Sequence, residues 1–206
     1  MISSDLTIQA LLFRFLAGMI IATVQGATIA ALAVMLDDRG PRHDGRLTLS
    51  PIAHLDLLGL ASIMLTGFGW SKPVAIEAAK LRGGRWGLVL AALAGSVALL
   101  AVAYLLLMLV VPALTLLPYT AGLTTAAFLR TAAPLCVWMA LFTLLPVPPL
   151  AGAHFLEALG LRLPPATGLF IGVGLLLVSS FGITRTVLLP LYSIVAPLVL
   201  GPGLAA

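Results

Sequence analysis

This chain of 206 residues has few side chains with which to do chemistry. Its histidines are His43, His54 and His154, its glutamates Glu77 and Glu157, and its aspartates Asp5, Asp37, Asp38, Asp44 and Asp56. General acid–base catalysis needs an imidazole or carboxylate poised at the reacting group, and a catalytic zinc needs three such ligands around one point. His54 and Asp56 form a His-x-Asp pair, for which hydrogen bonding of the local loop is the expected role rather than proton or metal chemistry. A metal site drawn from His54, His154 and Gln25 would have Asp56 as its one nearby carboxylate, a weak donor set. His43 sits in a basic turn with Pro and Gly and is expected to be solvated. Cys136 stands alone in an apolar run, so no intrachain disulfide forms and the thiol is expected to be buried and inert.

The elements that carry these residues are apolar. The chain is 61% hydrophobic and 9% charged, with a mean hydropathy of +1.17, whereas soluble domains carry roughly 25% charged residues. This excludes a cytosolic enzyme, a disordered tail and a coiled coil, and predicts an all-α integral membrane protein forming one domain over 1–206. At about 20 residues per span, four to six spans fit. The pattern predicts a first span over 7–36, unbroken by proline and ended by Asp37-Asp38-Arg39-Gly40-Pro41. The apolar block 57–68 is short for a crossing and rich in glycine, so it is expected to be re-entrant. Spans are predicted over 86–111 and 121–145, separated by a turn at 112–118. After the joint Pro146-Val147-Pro148-Pro149 and a short amphipathic stretch come a span over 166–183 and a segment over 187–200. The latter contains Pro190 and Pro197 and is expected to bend or only partly cross.

The charges orient this arrangement. Arg39, Arg42, Arg46, Lys72, Lys80, Arg82 and Arg85 all lie between the first and second spans, which marks 37–85 as a cytoplasmic loop holding the re-entrant segment and puts the N-terminus outside. The uncharged turn 112–118 is then external, and Arg162 is cytoplasmic again. Asp5 in place of a basic leader, Arg14 within the run and continuation to Leu36 predict a retained helix rather than a signal peptide. The net charge of +4 and pI near 9.8 follow from this topology. No nucleic acid is expected as a partner, since no basic groove with interleaved aromatics is present. Gly95-Ser96, Gly168, Gly172 and Gly174 are expected to be close-packing surfaces for helices.

Three fragments are more particular: Gly45-Arg46-Leu47-Thr48-Leu49-Ser50-Pro51 with His54 and Asp56; Gly67-Phe68-Gly69-Trp70-Ser71-Lys72-Pro73-Val74; and Phe142-Thr143-Leu144-Leu145-Pro146-Val147-Pro148-Pro149-Leu150. In this order and spacing the chain resembles the site-2 protease family of intramembrane zinc metallopeptidases, from about Ile21 to Leu156. The resemblance implies a core of three transmembrane helices with a re-entrant cytoplasmic segment, here followed by one or two C-terminal membrane helices. It also implies a His-Glu-x-x-His motif on the first core helix, two imidazoles on one face with the glutamate as general base, and a third ligand from Leu-Asp-Gly. Zinc in such a site lowers the pKa of its water to about 7.

Carried onto this chain, the motif positions fall at Gln25, Gly26 and Ile29, and Leu-Asp-Gly reads Leu150-Ala151-Gly152. The family's Ala-Gly-Pro-x-x-Asn reads Ala94-Gly95-Ser96-Val97-Ala98-Leu99, and its asparagine before Leu-Leu-Pro is Thr143. With three histidines and two glutamates in the whole chain, no shifted alignment restores His-Glu-x-x-His. The resemblance therefore points to a degenerate member, with no catalytic residue and neither zinc nor another cofactor expected. Its expected role is a non-catalytic accessory or scaffold subunit that binds transmembrane segments in a larger membrane complex. Trp70, Lys72, Pro73 and Arg14 are the candidates to meet partners; for the stretch around Trp70 and Lys72, a loop at the membrane interface, packing of the re-entrant loop is the favoured role, and for Arg14 snorkelling to the external interface is the default. Two alternatives stand beside it: a metallopeptidase with a rearranged site at His54 and His154, and a lipid, quinone or pigment binder using the vacated cavity. A multi-pass protein of a bacterial inner membrane is the expected location.

Overall fold

The structure is a computed structural model that describes residues 7–161, 163–164 and 167–202. Asp5, Arg162 and the first residue of the expected 166–183 span lie outside the described residues. The described chain is helical apart from its loops, with one isolated antiparallel bridge between Leu55 and Ser71. The helices are α1 (Ile8–Met35), α2 (Gly40–His43), α3 (Pro51–His54), α4 (Leu57–Thr66), α5 (Arg85–Met108), α6 (Val110–Leu116), α7 (Tyr119–Phe142), α8 (Ala153–Ala158), α9 (Thr167–Ser180) and α10 (Ile183–Leu200). Among the described residues, four stretches are long and apolar enough to cross a bilayer: α1, α5 joined to α6, α7 and α10. The protein is an all-α, multi-pass integral membrane protein.

α1 begins at a side-chain cap, the Thr7 hydroxyl accepting from the Ala10 N–H at 3.1 Å. Along it, Gly18, Ala22, Gly26 and Ala30 recur every fourth residue and so line one face. Small residues at this spacing let other segments approach a membrane helix closely. α4 packs there: a Cβ on Gly18 would lie 2.9 Å from a Leu60 methyl. After α4 the chain turns back in extended form, and the Lys72 N–H donates to the His54 carbonyl at 2.8 Å. Both ends of the segment 55–71 thus meet at one place. Its two limbs touch through backbone, since side chains on Gly59 or Gly69 would overlap the Trp70 and Gly59 carbonyls. Arg46 ties the base together by donating to the carbonyls of both Ala53 and Lys72.

The main core lies among α1, α5, α7 and α10, with Ile21, Leu99, Val137, Met139, Phe142 and Ala196 at its centre. A second cluster joins Ile29, Ala30 and Ala33 of α1 to Leu88 and Ala91 of α5 and to Val74 and Ile76 of the returning chain.

Three boundaries differ from expectation. The segment 112–118 is not a turn throughout: α6 continues the apolar helix to Leu116, and the chain turns at Leu117-Pro118. Pro112 lacks the N–H that an unbroken helix would use, so α5 stops at Met108 and Pro112 sits in the first turn of α6, where that donor is not needed. The break expected between 183 and 187 falls instead at Phe181-Gly182, where Gly182 adopts a left-handed φ of 75°. α10 then runs through Pro190 and Pro197 without interruption. The third span begins at Tyr119 and ends at Phe142, ahead of the Thr143-to-Leu150 turns.

Candidate functional site

Gln25, Gly26 and Ile29 occupy one buried face of α1. What surrounds them is set by two glycines. Gly95 of α5 lacks the side chain that would crowd Ile29 and the Gln25 stem, both within about 3.2 Å of its missing Cβ. Gly26 faces His54, whose imidazole fills the volume that any side chain on residue 26 would need.

His54 is fully buried. Its Nε2 donates to the Thr48 carbonyl at 2.8 Å, which leaves Nδ1 as an unprotonated nitrogen with no hydrogen-bond partner against α1. Burial pushes the imidazole below its ordinary pKa of 6.5; the Thr48 hydrogen bond opposes this and the nearby Arg46 charge adds to it. Asp56 caps α4, its Oδ1 accepting from the Gly59 N–H at 2.8 Å. His54 therefore packs the base of the segment 55–71 against α1, and Asp56 caps the helix within that segment. Gln25 accepts from the Ser71 hydroxyl at 3.2 Å, and its amide nitrogen, also buried, has no partner. Thr143 directs its hydroxyl back to the Met139 carbonyl at 2.8 Å, and its own carbonyl accepts from the Gly152 N–H at 2.7 Å.

Ala151 lines, with Ile29, a cavity of about 410 Å³. Its other walls include Ser71, Pro73 to Ala75, the turn Pro148–Pro149–Leu150 and α8, and it is mostly apolar. His154 borders it and places Nδ1 3.6 Å from Glu157. Along one wall, Val74, Ala75 and Ile76 lie outside any helix, with Val74 and Ile76 buried and Ala75 exposed. Their backbone N–H and C=O groups make no hydrogen bond among the described residues. This is an open backbone edge beside an apolar cavity, a surface suited to pairing with an extended segment. The sequence carries a faint sign of it in the alternation Val74-Ala75-Ile76.

Of the residues expected to meet partners, Lys72 and Pro73 are exposed, and Pro73 borders the cavity. Trp70 differs. It is 3% exposed, wedged between Gly59 and Gly172, and so packs the re-entrant segment against α9 instead of facing outward. Arg14 donates to the Met64 and Leu65 carbonyls at 3.2 and 3.3 Å, and thereby closes the C-terminal end of α4. The sequence did not point to Arg46 or Ser71 as fixing this region, because neither pairs with a near neighbour in the chain.

Zinc requires nitrogen, sulfur or carboxylate oxygen donors. Gly26, Ile29 and Ala151 have none, and the Gln25 amide is a poor ligand. The donor set at these four positions does not fit the metal. Among the described residues, no three of His, Cys, Asp and Glu gather where they could hold a metal ion.

No family model matches the chain, and no solved structure matches it. A curated protein of Bacillus subtilis (strain 168), named "Putative zinc metalloprotease YwhC", is 35% identical over 138 residues. The match takes in 63% of this chain and 61% of that protein, so the chain spans about three fifths of the relative it matches.

Proposed function

We propose that the chain is a non-catalytic, site-2-protease-like subunit that binds transmembrane segments of other proteins in a bacterial cytoplasmic membrane, with 37–85 on the cytoplasmic side. The reading rests on the positions onto which the resemblance carries the family's zinc ligands and general base, Gln25, Gly26, Ile29 and Ala151, and one observation supports it: the His54 ring closes the space at Gly26. The likeness to a Bacillus subtilis protein named as a zinc metalloprotease supports the family part of this reading. The cavity and its open edge supply the binding part. A segment unwound from a client helix pairs with Val74 to Ile76, and its side chains enter the space between Ile29 and Ala151. Removing ionisable ligands also removes their cost within the membrane when no metal is bound.

The test is metal and partner content in mild detergent. The reading predicts far less than one zinc per chain, no cleavage of membrane peptides and a stoichiometric membrane partner. One bound zinc per chain, lost in His54→Ala or His154→Ala, would replace it with a rearranged peptidase. The apolar lining and volume of the cavity also suit a small hydrophobic ligand; a lipid, quinone or pigment that co-purifies in place of a protein would favour that second reading.

A further inference from the structure

The membrane-spanning stretches contain Arg14, Arg85, Arg130 and Arg185 and no Asp or Glu. Two of these meet away from the cavity already described. A groove of about 190 Å³ between α1, the end of α4, α7 and α10 is lined by both Arg14 and Arg185, with Trp138 and Phe68 as aromatic walls. The Trp138 ring lies flat on Tyr192, centroids 3.9 Å apart and planes 5° from parallel, so it is a fixed platform. The Arg185 guanidinium sits 5.8 Å above that platform. No carboxylate pairs with either arginine among the described residues. Arg14 has carbonyl partners at the end of α4; Arg185 has the ring alone and is exposed.

The position of the groove along the helices decides what fits it. Phe13 pairs with Phe128, centroids 5.6 Å apart, which sets Arg14 beside the middle of α7. The α7 residues lining the groove run from Thr131 to Trp138. At about 1.5 Å per residue, Thr131 is roughly 16 Å from the Phe142 end of the helix and Trp138 about 6 Å. A helix of this length exceeds the roughly 30 Å hydrocarbon core only slightly, so the α7 wall of the groove lies inside that core, below the level of lipid phosphates, and Arg185 reaches it from the first turn of α10. A side chain on a neighbouring helix reaches this depth directly.

We infer that this groove docks a transmembrane helix of a partner through an acidic side chain, a Glu or Asp near the middle of that helix, received by Arg185 with Arg14 beside it. The inference rests on the reading of the chain as a subunit that binds transmembrane segments, and adds the partner's chemistry and a face distinct from the open backbone edge. An intramembrane carboxylate and an intramembrane guanidinium each lack a favourable environment alone and supply one to the other.

The test uses two synthetic leucine–alanine transmembrane peptides, one with a central glutamate and one with glutamine, each carrying a fluorescence acceptor. They are titrated against the labelled full chain in phosphatidylcholine bilayers. Interhelical polar contacts of this kind predict an association about fivefold to tenfold tighter for the glutamate peptide, with the preference lost in Arg185→Gln. Equal association of both peptides overturns the carboxylate inference while leaving the binding of transmembrane segments standing. Failure of both to associate overturns the inference together with that reading at this face. Persistence of the preference in Arg185→Gln overturns it, and so does loss of the preference when phosphatidylglycerol is added, which would assign the groove to an anionic headgroup.

Discussion

The His54 imidazole occupies the space of an absent side chain at Gly26, with its bare Nδ1 turned to the backbone of α1. The two residues share one space: neither can grow without displacing the other. Gly26→Ala is expected to lower stability by about 1–3 kcal/mol through overpacking. In a double-mutant cycle measured by thermal or denaturant unfolding in detergent, His54→Ala should relieve part of that loss. Additive effects would mean that the ring and the helix do not share this space.

The same burial makes stability depend on pH. The folded protein holds His54 below its ordinary pKa of 6.5, so the unfolded chain binds the proton more readily. The contribution is fully present above about pH 6.5 and is lost as pH falls from there through the folded-state value. His54→Gln should flatten this acid-side decline relative to the parent; an unchanged profile would assign the decline to other groups.

Backbone contact between the limbs of the re-entrant segment leaves no room for a methyl at residue 59. Gly59→Ala is expected to cost about 1–3 kcal/mol or to open the segment, seen as faster hydrogen exchange from Leu57 to Trp70. Gly174→Ala, where nothing lies within 4 Å, is the matched control and should be close to neutral.

Arg14 closes the end of α4, and Arg14→Gln should lower stability by about 1.5–3 kcal/mol, the range for hydrogen bonds to a charged group. Exchange of the amides at the α4 C-terminus would report the loss locally. A neutral outcome would show that the Met64 and Leu65 carbonyls find other donors.

Ala75→Pro removes one donor from the open edge at an exposed position without touching the core. Stability should be retained while association with a membrane client falls about tenfold or more, assayed on the isolated complex. Unchanged association would move the client away from this edge.

Much of this architecture is legible from composition, because apolar runs of span length have few other uses. The site is less so, for reasons visible in single residues. Gly26 and His54 are 28 positions apart, and nothing in either local pattern announces that one fills the other's space. Trp70 can be read by type as an interface or a packing residue, and its type does not reveal that Gly59 and Gly172 leave a slot for it in the interior. The break before α10 is set by Gly182, whose left-handed conformation follows the end of α9 and leaves no mark in an apolar pattern that continues on both sides. Prolines inside a membrane helix are tolerated where neighbouring groups resatisfy the freed carbonyls. The open edge at 74–76 is three residues long, too short for alternation to stand out.

Arg14 and its two carbonyl partners are separated by 50 and 51 positions in the chain. Arg14 is therefore synthesised ahead of both acceptors. The segment that ends at Leu65 meets a donor made before it. It folds onto an earlier helix that serves as its template, and an error in the insertion of α1 would propagate to a segment made some fifty residues later.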